Sequence, residues 1–244
     1  MLALVNTATR AELLDALEAR LARGEGFSVA TLNLDHLVKL RADAAFRAAY
    51  ARHSHVVADG WPVVVLRRLA GRPVDLVPGS DLVGPLMAHA ARHGIPVGFL
   101  GSTEAALTRA ADRLQAEYPG LKVVARISPP FGLDPNSKEA GEALQQLARS
   151  GARVCLIALG APRQEVLAAR AVESLPRCGF ISVGAGLDFI AGSQRRAPLW
   201  MRRVGLEWLW RMLSDPRRLT GRYIRCAMIL PGLTQAALRM RRHA

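Results

Sequence analysis

The feature that most constrains this chain is a rhythm. Six short apolar runs recur along it: "FSVATLN" (27–33), "HVVADG" (55–60), "PVGFLG" (96–101), "KVVARIS" (122–128), "ARVCLIALG" (152–160) and "CGFISVGAG" (178–186). Between them lie amphipathic stretches of helical length, for example 7–23, 80–93, 103–117 and 136–150. Strands that alternate with helices and read as near-continuous apolar runs are covered on both faces, which requires a mostly parallel sheet. The expected fold is α/β and Rossmann-like, with helices on both faces of that sheet. Helix starts agree. Asn136 with Glu139 three residues on has capping-box spacing, and Pro162 after Gly160 suits a first helical turn.

In such sheets ligands collect outside the carboxyl ends of the strands. The candidate functional residues are therefore Thr31 and Asn33, Asp59 and Gly60, Gly101 to Thr103, Pro129 to Gly132, Gly160 to Glu165, and Gly184 to Asp188. Gly101, Gly160 and Gly184 stand near helix starts, where free N–H groups and the helix dipole receive phosphate; glycine at such a place also simply makes the turn. Thr31 and Asn33 share a strand face by the period of two. Asp59 is a carboxylate at a strand end, suited to act as a general base, although an Asp before Gly also caps turns. Asp188 suits ribose hydroxyls, as carboxylates do in other nucleotide folds. Gln164 falls in the first turn of a helix, facing the same rim, while Glu165 suits the helix dipole. There is no GxGxxG and no GxxxxGK[ST], so dinucleotide and P-loop readings lose support. With no DxD pair either, a diphosphate here has to be neutralised by helix ends, side-chain donors or arginines rather than by a carboxylate-held metal.

Charge is concentrated at one end. Residues 195–244 carry twelve arginines and no lysine against Glu207 and Asp215, a net +10 of the chain's formal +13. A nearly neutral body followed by a basic tail points to an anionic partner met by the C-terminus rather than to a nucleic-acid groove. The shift near residue 195 divides the chain into an α/β core, 1–194, and an Arg-rich helical appendage, 195–244. From Trp200 to Leu213, at 100° per residue, Arg203, Glu207 and Arg211 form one polar stripe, while Trp200, Val204, Leu206, Trp208, Leu209 and Leu213 cover most of the rest. One side of such a helix packs on the body and another meets lipid or a second subunit. Asp215-Pro216 then restarts a helix with Arg218, Arg222 and Arg225 on a single face.

Cys155, Cys178 and Cys226 are isolated and read as small buried hydrophobes, which suits a reducing compartment. Arg10 and Glu12 interrupt the N-terminus before a secretory apolar core forms, and "CAMILPGL" (226–233) is far too short to span a bilayer. Membrane contact is expected to be peripheral.

"TLNLDHL" (31–37), "VADG" (57–60), "PGSDL" (78–82), "ALGAPRQE" (158–165) and "VGAGLDFIAGSQRRAPLWMRRVGLEWLWRMLSDPRR" (183–218) together resemble the WecG/TagA/CpsF glycosyltransferases of bacterial surface-polysaccharide and teichoic-acid assembly. The resemblance implies an inverting transfer from a UDP-sugar to a saccharide on undecaprenyl diphosphate, at the cytoplasmic membrane face, with no cofactor and no required metal. It makes Asp59 the base, Thr31 and Asn33 an orienting pair, Gln164 a functional glutamine, and Phe131 an aromatic beside uracil in place of a core phenylalanine. Arg211 and Arg218 match arginines of the family's appendage, with Arg222 beside them for the acceptor diphosphate. Relatives often carry an arginine where this chain has Leu76, Val77 and Pro78, a basic residue at Gly221, and Phe at Leu187. Two other classes are weighed against this reading: a nucleic-acid-binding protein using the same tail, and a nicotinamide-dependent oxidoreductase. A homo-oligomer closed by the appendage is also compatible.

Overall fold

A computed structural model describes residues 1–242, and of Arg203 and Arg218 the backbone alone. Six strands form one sheet: β1 (Phe27–Leu32), β2 (His55–Ala58), β3 (Pro96–Gly101), β4 (Lys122–Ile127), β5 (Val154–Ala158) and β6 (Gly179–Ser182). Their order is β2-β1-β6-β5-β3-β4 and every pairing is parallel. Each coincides with one of the six apolar runs. The interior strands β1 and β5 are buried at every position, whereas the edge strand β4 alternates between buried and more open residues, as expected where a strand is covered on both sides or only on one.

The helices divide between the two faces. Over one face lie α1 (Arg10–Arg23), α5 (Gly79–His93), α6 (Glu104–Glu117) and the short α9 (Gly186–Ala191), packing Leu17, Leu86, Leu107 and Leu187 against Phe27, Val97, Phe99 and Ile181. Over the other lie α2 (Leu34–Ala42), α3 (Ala44–Arg52), α7 (Lys138–Arg149) and α8 (Arg163–Ser174), which bury Leu37, Phe46, Leu144 and Leu167 against Leu32, Leu100, Ile157 and Phe180. α4 (Trp61–Leu69) joins the second side through Val63 and Leu66. The chain leaves β1 toward the α2 face and leaves its neighbour β6 toward the α9 face, so a switch point of the topology lies between these two strands.

Caps stop the helices near the expected places. Thr9 and Glu12 make a reciprocal capping box at the start of α1, and Gly24 closes it in the left-handed region. For α7 the cap is Ser137, one residue past the expected Asn136; its hydroxyl accepts from Ala140 N–H, while Asn136 closes a turn on Asp134.

The tail departs further from expectation. Instead of one helix across Trp200 to Leu213, the chain forms α10 (Leu199–Arg203) and α11 (Glu207–Ser214), separated at Gly205, whose φ is +78°. A Cβ there would lie 2.5 Å from the Trp61 ring, so the helix breaks where the tail must pass over a tryptophan of the body. The last helix, α12 (Pro216–Arg242), starts at the expected proline and packs on α2 and α4. Leu233 and Ala237 are buried in the same cluster as Leu2, Ala30, Leu32 and Val63. The change in charge near residue 195 is therefore not a change of hydrophobic core. All three cysteines are buried and free.

Candidate functional site

The carboxyl ends of β1, β2 and β6 converge at the switch point, and Asp59 stands there, one residue past β2. Its backbone N–H donates to Leu32 O at 2.8 Å, continuing the β1–β2 ladder. The Thr31 hydroxyl, on the neighbouring strand, donates to Asp59 Oδ2 at 3.3 Å. Asp59 keeps a partly open surface, yet the surrounding protein removes enough water to push its carboxyl up to about 6. The Arg211 guanidinium opposes that rise, Glu207 and Asp81 add to it, and the Thr31 hydrogen bond holds it down. A carboxylate with this value is ionised at neutral pH and still basic enough to take a proton in a transition state.

Asn33 lies beyond the strand and is the N-cap of α2, its side chain accepting from His36 N–H at 3.0 Å. Because β1 ends at Leu32, Asn33 does not share a strand face with Thr31 as expected. The oxygen is used for the cap, and the Nδ2 protons stay available at the rim.

The appendage reaches this rim through arginine. Arg211 pairs with Glu207 at 3.2 Å, one turn away on α11, and its guanidinium lies over Phe189 of α9, 5.3 Å from the ring centre. Arg196, just before α10, covers the same ring at 5.9 Å and joins Asp81 of α5 to Glu207 of α11. Arg196, Asp81 and Phe189 belong to segments singled out in the sequence, "GSDL" and "LDFIAGSQRRAP", but no local pattern shows that they meet. Arg222 sits on α12 in an ion pair with Asp35 of α2 at 3.2 Å, and Asp35 also holds Lys39 at 2.7 Å. The pair docks α12 on the body beside the 160–162 loop, where Lys39 donates to Ala161 O. The side chain of Arg218 is outside the described residues.

On the β5 and β6 side, Gln164 is almost fully buried in the first turn of α8. Its Oε1 accepts from both Gly160 N–H and Gly184 N–H, each at 3.2 Å, and its Nε2 donates to Glu165. One amide therefore ties two strand-end loops together. This corrects the expectation that those two glycine N–H groups receive phosphate: they are already bonded. What Gly160 and Gly184 provide is room, because a Cβ at either would meet nothing within 4 Å. Gly101 also differs from expectation. It is buried with φ +111°, and a Cβ would lie 2.4 Å from Ala158 O, so it serves the close approach of β3 to β5. Its neighbour Ser102 is the residue that faces the site, donating to Asp188 Oδ1. Asp188 Oδ2 accepts from Gln194 at 3.2 Å, so this carboxylate joins the loops after β3 and β6.

Glu165 stands in the first turn of α8, as expected, but as a buried acid pushed up to about 7 by burial, and His36, 3.9 Å away, is held neutral, down to about 3, for the same reason. His36 Nδ1 shares a 2.6 Å hydrogen bond with the Tyr50 hydroxyl. Phe131 lies at the opposite extreme, fully exposed in the loop after β4 with Arg163 over its ring at 5.5 Å. It is an aromatic surface rather than a core residue.

Among the described residues no cluster of three or more His, Cys, Asp or Glu side chains is arranged to hold a metal ion, and no helix is long and apolar enough to cross a membrane. Compared with known families, residues 2–243 match the model described as Glycosyl transferase WecG/TagA/CpsF family.

Proposed function

We propose, since the chain belongs to the WecG/TagA/CpsF family of glycosyltransferases, that it moves a sugar with inversion from a UDP-sugar to a saccharide carried on a polyprenyl diphosphate. The observation that carries this reading is Asp59. It combines a raised carboxyl, a hydrogen bond from the Thr31 hydroxyl and the electrostatic pull of the Arg211 guanidinium, at the switch point of a parallel sheet. In the reaction the acceptor hydroxyl attacks the anomeric carbon as its proton passes to Asp59, and the bond from that carbon to the UDP phosphate oxygen breaks. The departing UDP carries the developed negative charge.

The other residues follow from position. The space over Gly160 and Gly184 takes the donor diphosphate, with Gln164 acting as a positioning residue that holds the two loops at their spacing. Phe131 stacks on uracil, Asp188 accepts from the ribose, and Thr31 and Asn33 orient the reacting groups. Arg211, Arg218 and Arg222 take the acceptor's phosphate oxygens, for which the planar guanidinium is suited. Transfer requires no metal in this reading, and the charge that develops on the leaving group is met by polar and cationic groups of the rim. The exposed apolar side chains Leu199, Trp200, Val204 and Leu213 of the appendage and its arginines meet the anionic cytoplasmic face of the membrane, each cation near that surface contributing on the order of 1 kcal/mol.

Thermal unfolding with a panel of nucleotides tests the donor class. UDP at 100 times its dissociation constant stabilises by about 2.7 kcal/mol; NAD or a short RNA doing so in its place overturns the reading. Incubation of UDP-sugars with lipid-extract acceptors, with products identified by mass spectrometry, tests transfer. Asp59→Asn is expected to keep UDP binding and lose turnover, and near-normal turnover in that variant excludes Asp59 as the base.

A further inference from the structure

Between α4 and the appendage lies an open groove of about 340 Å3. Trp61, Val65 and Leu69 of α4 form one wall, and Trp208 of α11 with Leu230 and Thr234 of α12 form the other. The Thr234 hydroxyl is turned back onto Leu230 O at 3.0 Å, so the surface it offers is apolar. Trp61 is 40%, Val65 49% and Trp208 42% exposed. An aromatic-lined apolar surface left open to water at the junction of body and appendage marks a contact site.

Its position says what the contact is. Trp61 is two residues from Asp59, at the first position of α4, and its ring is held by the Gly205 backbone and by a hydrogen bond from Nε1 to Arg202 O at 3.4 Å. At the other wall Trp208 is one turn from Arg211 on α11 and meets the Tyr223 ring at 5.7 Å, next to Arg222. The groove thus has at one end Trp61 and Trp208, which lie on the segments that carry Asp59 and Arg211, and it extends along α4 to Leu69. The ligand complementary to that arrangement has an anionic head and an apolar tail. We propose that the groove binds the first isoprene units of the acceptor's polyprenyl chain, so that body and appendage grip the lipid together, set its diphosphate at the arginines and leave the saccharide beyond it to reach Asp59. The inference rests on the function proposed above. A chain bonded to the diphosphate has to leave the site over an apolar surface, and α4 provides one.

The test uses full-length protein without vesicles, probed by calorimetry with farnesyl diphosphate, inorganic diphosphate and dodecyl phosphate. Farnesyl diphosphate is expected to bind at least tenfold more tightly than inorganic diphosphate and than dodecyl phosphate. Val65→Asp, at a half-exposed position, should remove that gain and leave inorganic diphosphate affinity and the UDP-dependent thermal shift unchanged; Val65→Leu should keep it. Equal affinity for farnesyl and inorganic diphosphate, a gain that Val65→Asp leaves intact, or equal binding of dodecyl phosphate, which would mark a general acyl site, each overturns the proposal. So does a dimer in sedimentation that Val65→Asp dissociates, which would assign the groove to a second copy. Loss of the farnesyl preference with a normal UDP shift counts against the groove alone, and a missing UDP shift with the preference intact counts against the donor assignment alone.

Discussion

Arg196 donates to the Asp81 carboxylate in the first turn of α5, and its other terminal nitrogen lies 3.9 Å from Glu207 of α11. Arg196 and Asp81 are separated by 115 positions, and their pair binds the body to the appendage beside the candidate base. Glu207 in turn holds Arg211, so the guanidinium that lowers the Asp59 carboxyl is placed through a chain of charges that starts on the body.

Breaking that chain has a measurable consequence. The pair is partly buried, so Arg196→Ala is expected to cost about 1–2 kcal/mol, between the values for exposed and buried ion pairs. Trypsin cleavage between residues 195 and 215 should accelerate. The double variant Asp81→Ala with Arg196→Ala should cost clearly less than the two single losses together, as required of residues that act as a unit. Additive losses in chemical denaturation would show that the two side chains stabilise independently.

Asp59 connects pH to both rate and stability. Because the base works ionised, kcat/KM is expected to fall below pH about 6. Arg211→Ala removes the cation that opposes the rise, so the acid limb should move to higher pH. A folded-state value above the usual 3.8 means the native state favours the protonated form. The associated stability is complete below pH about 4 and is lost as pH rises through about 6. Asp59→Asn should then stabilise at pH 8 by on the order of 2 kcal/mol, with the advantage shrinking toward pH 4. Melting curves across that range check the sign.

Gln164 separates positioning from contact. Gln164→Leu leaves the N–H groups of Gly160 and Gly184 and one oxygen of Glu165 without their partner, a loss of about 2–3 kcal/mol. UDP affinity should fall more than tenfold, with the pH dependence of the remaining turnover unchanged, since Asp59 and its neighbours stay in place. A shifted acid limb in this variant would place Gln164 in contact with the reacting groups.

The strand-end glycines should respond differently to alanine. Gly101→Ala forces a Cβ to within 2.4 Å of Ala158 O at φ +111° and is expected to cost more than 3 kcal/mol or to prevent folding. Gly184→Ala, with φ +54° and open space around it, should cost about 1 kcal/mol and act mainly by crowding the bound nucleotide. Comparing yield and melting temperature with UDP affinity for the two variants distinguishes these roles.

What could be read without the structure depended on short-range periodicity. The apolar runs placed six strands, and a cap signal and two prolines placed the starts of α7, α8 and α12 to within about a residue, because burial on both faces and unpaired helix termini impose their demands within a few residues. The carboxyl-end rule brought attention to Thr31, Asp59, Gln164 and Asp188, since parallel strands all end at one rim. The same local reasoning misplaced Asn33, which caps α2, and gave phosphate to N–H groups that Gln164 already occupies. It also continued a helix through Gly205, because the ring that breaks it belongs to Trp61, 144 positions earlier.

The linear order of residues by itself determined that this chain forms a parallel α/β layer, that a carboxylate ends its second strand, and that its positive charge gathers at one end. Only the tertiary structure decided which cation acts on that carboxylate, that the carboxyl is raised, which glycines leave room and which are merely tight, and that the basic tail shares the body's core through Leu233 and Ala237. The reason is range. Periodicity and caps act along the chain over a turn or a strand, whereas desolvation, ion pairing and close packing act through space, between residues whose meeting no local pattern records.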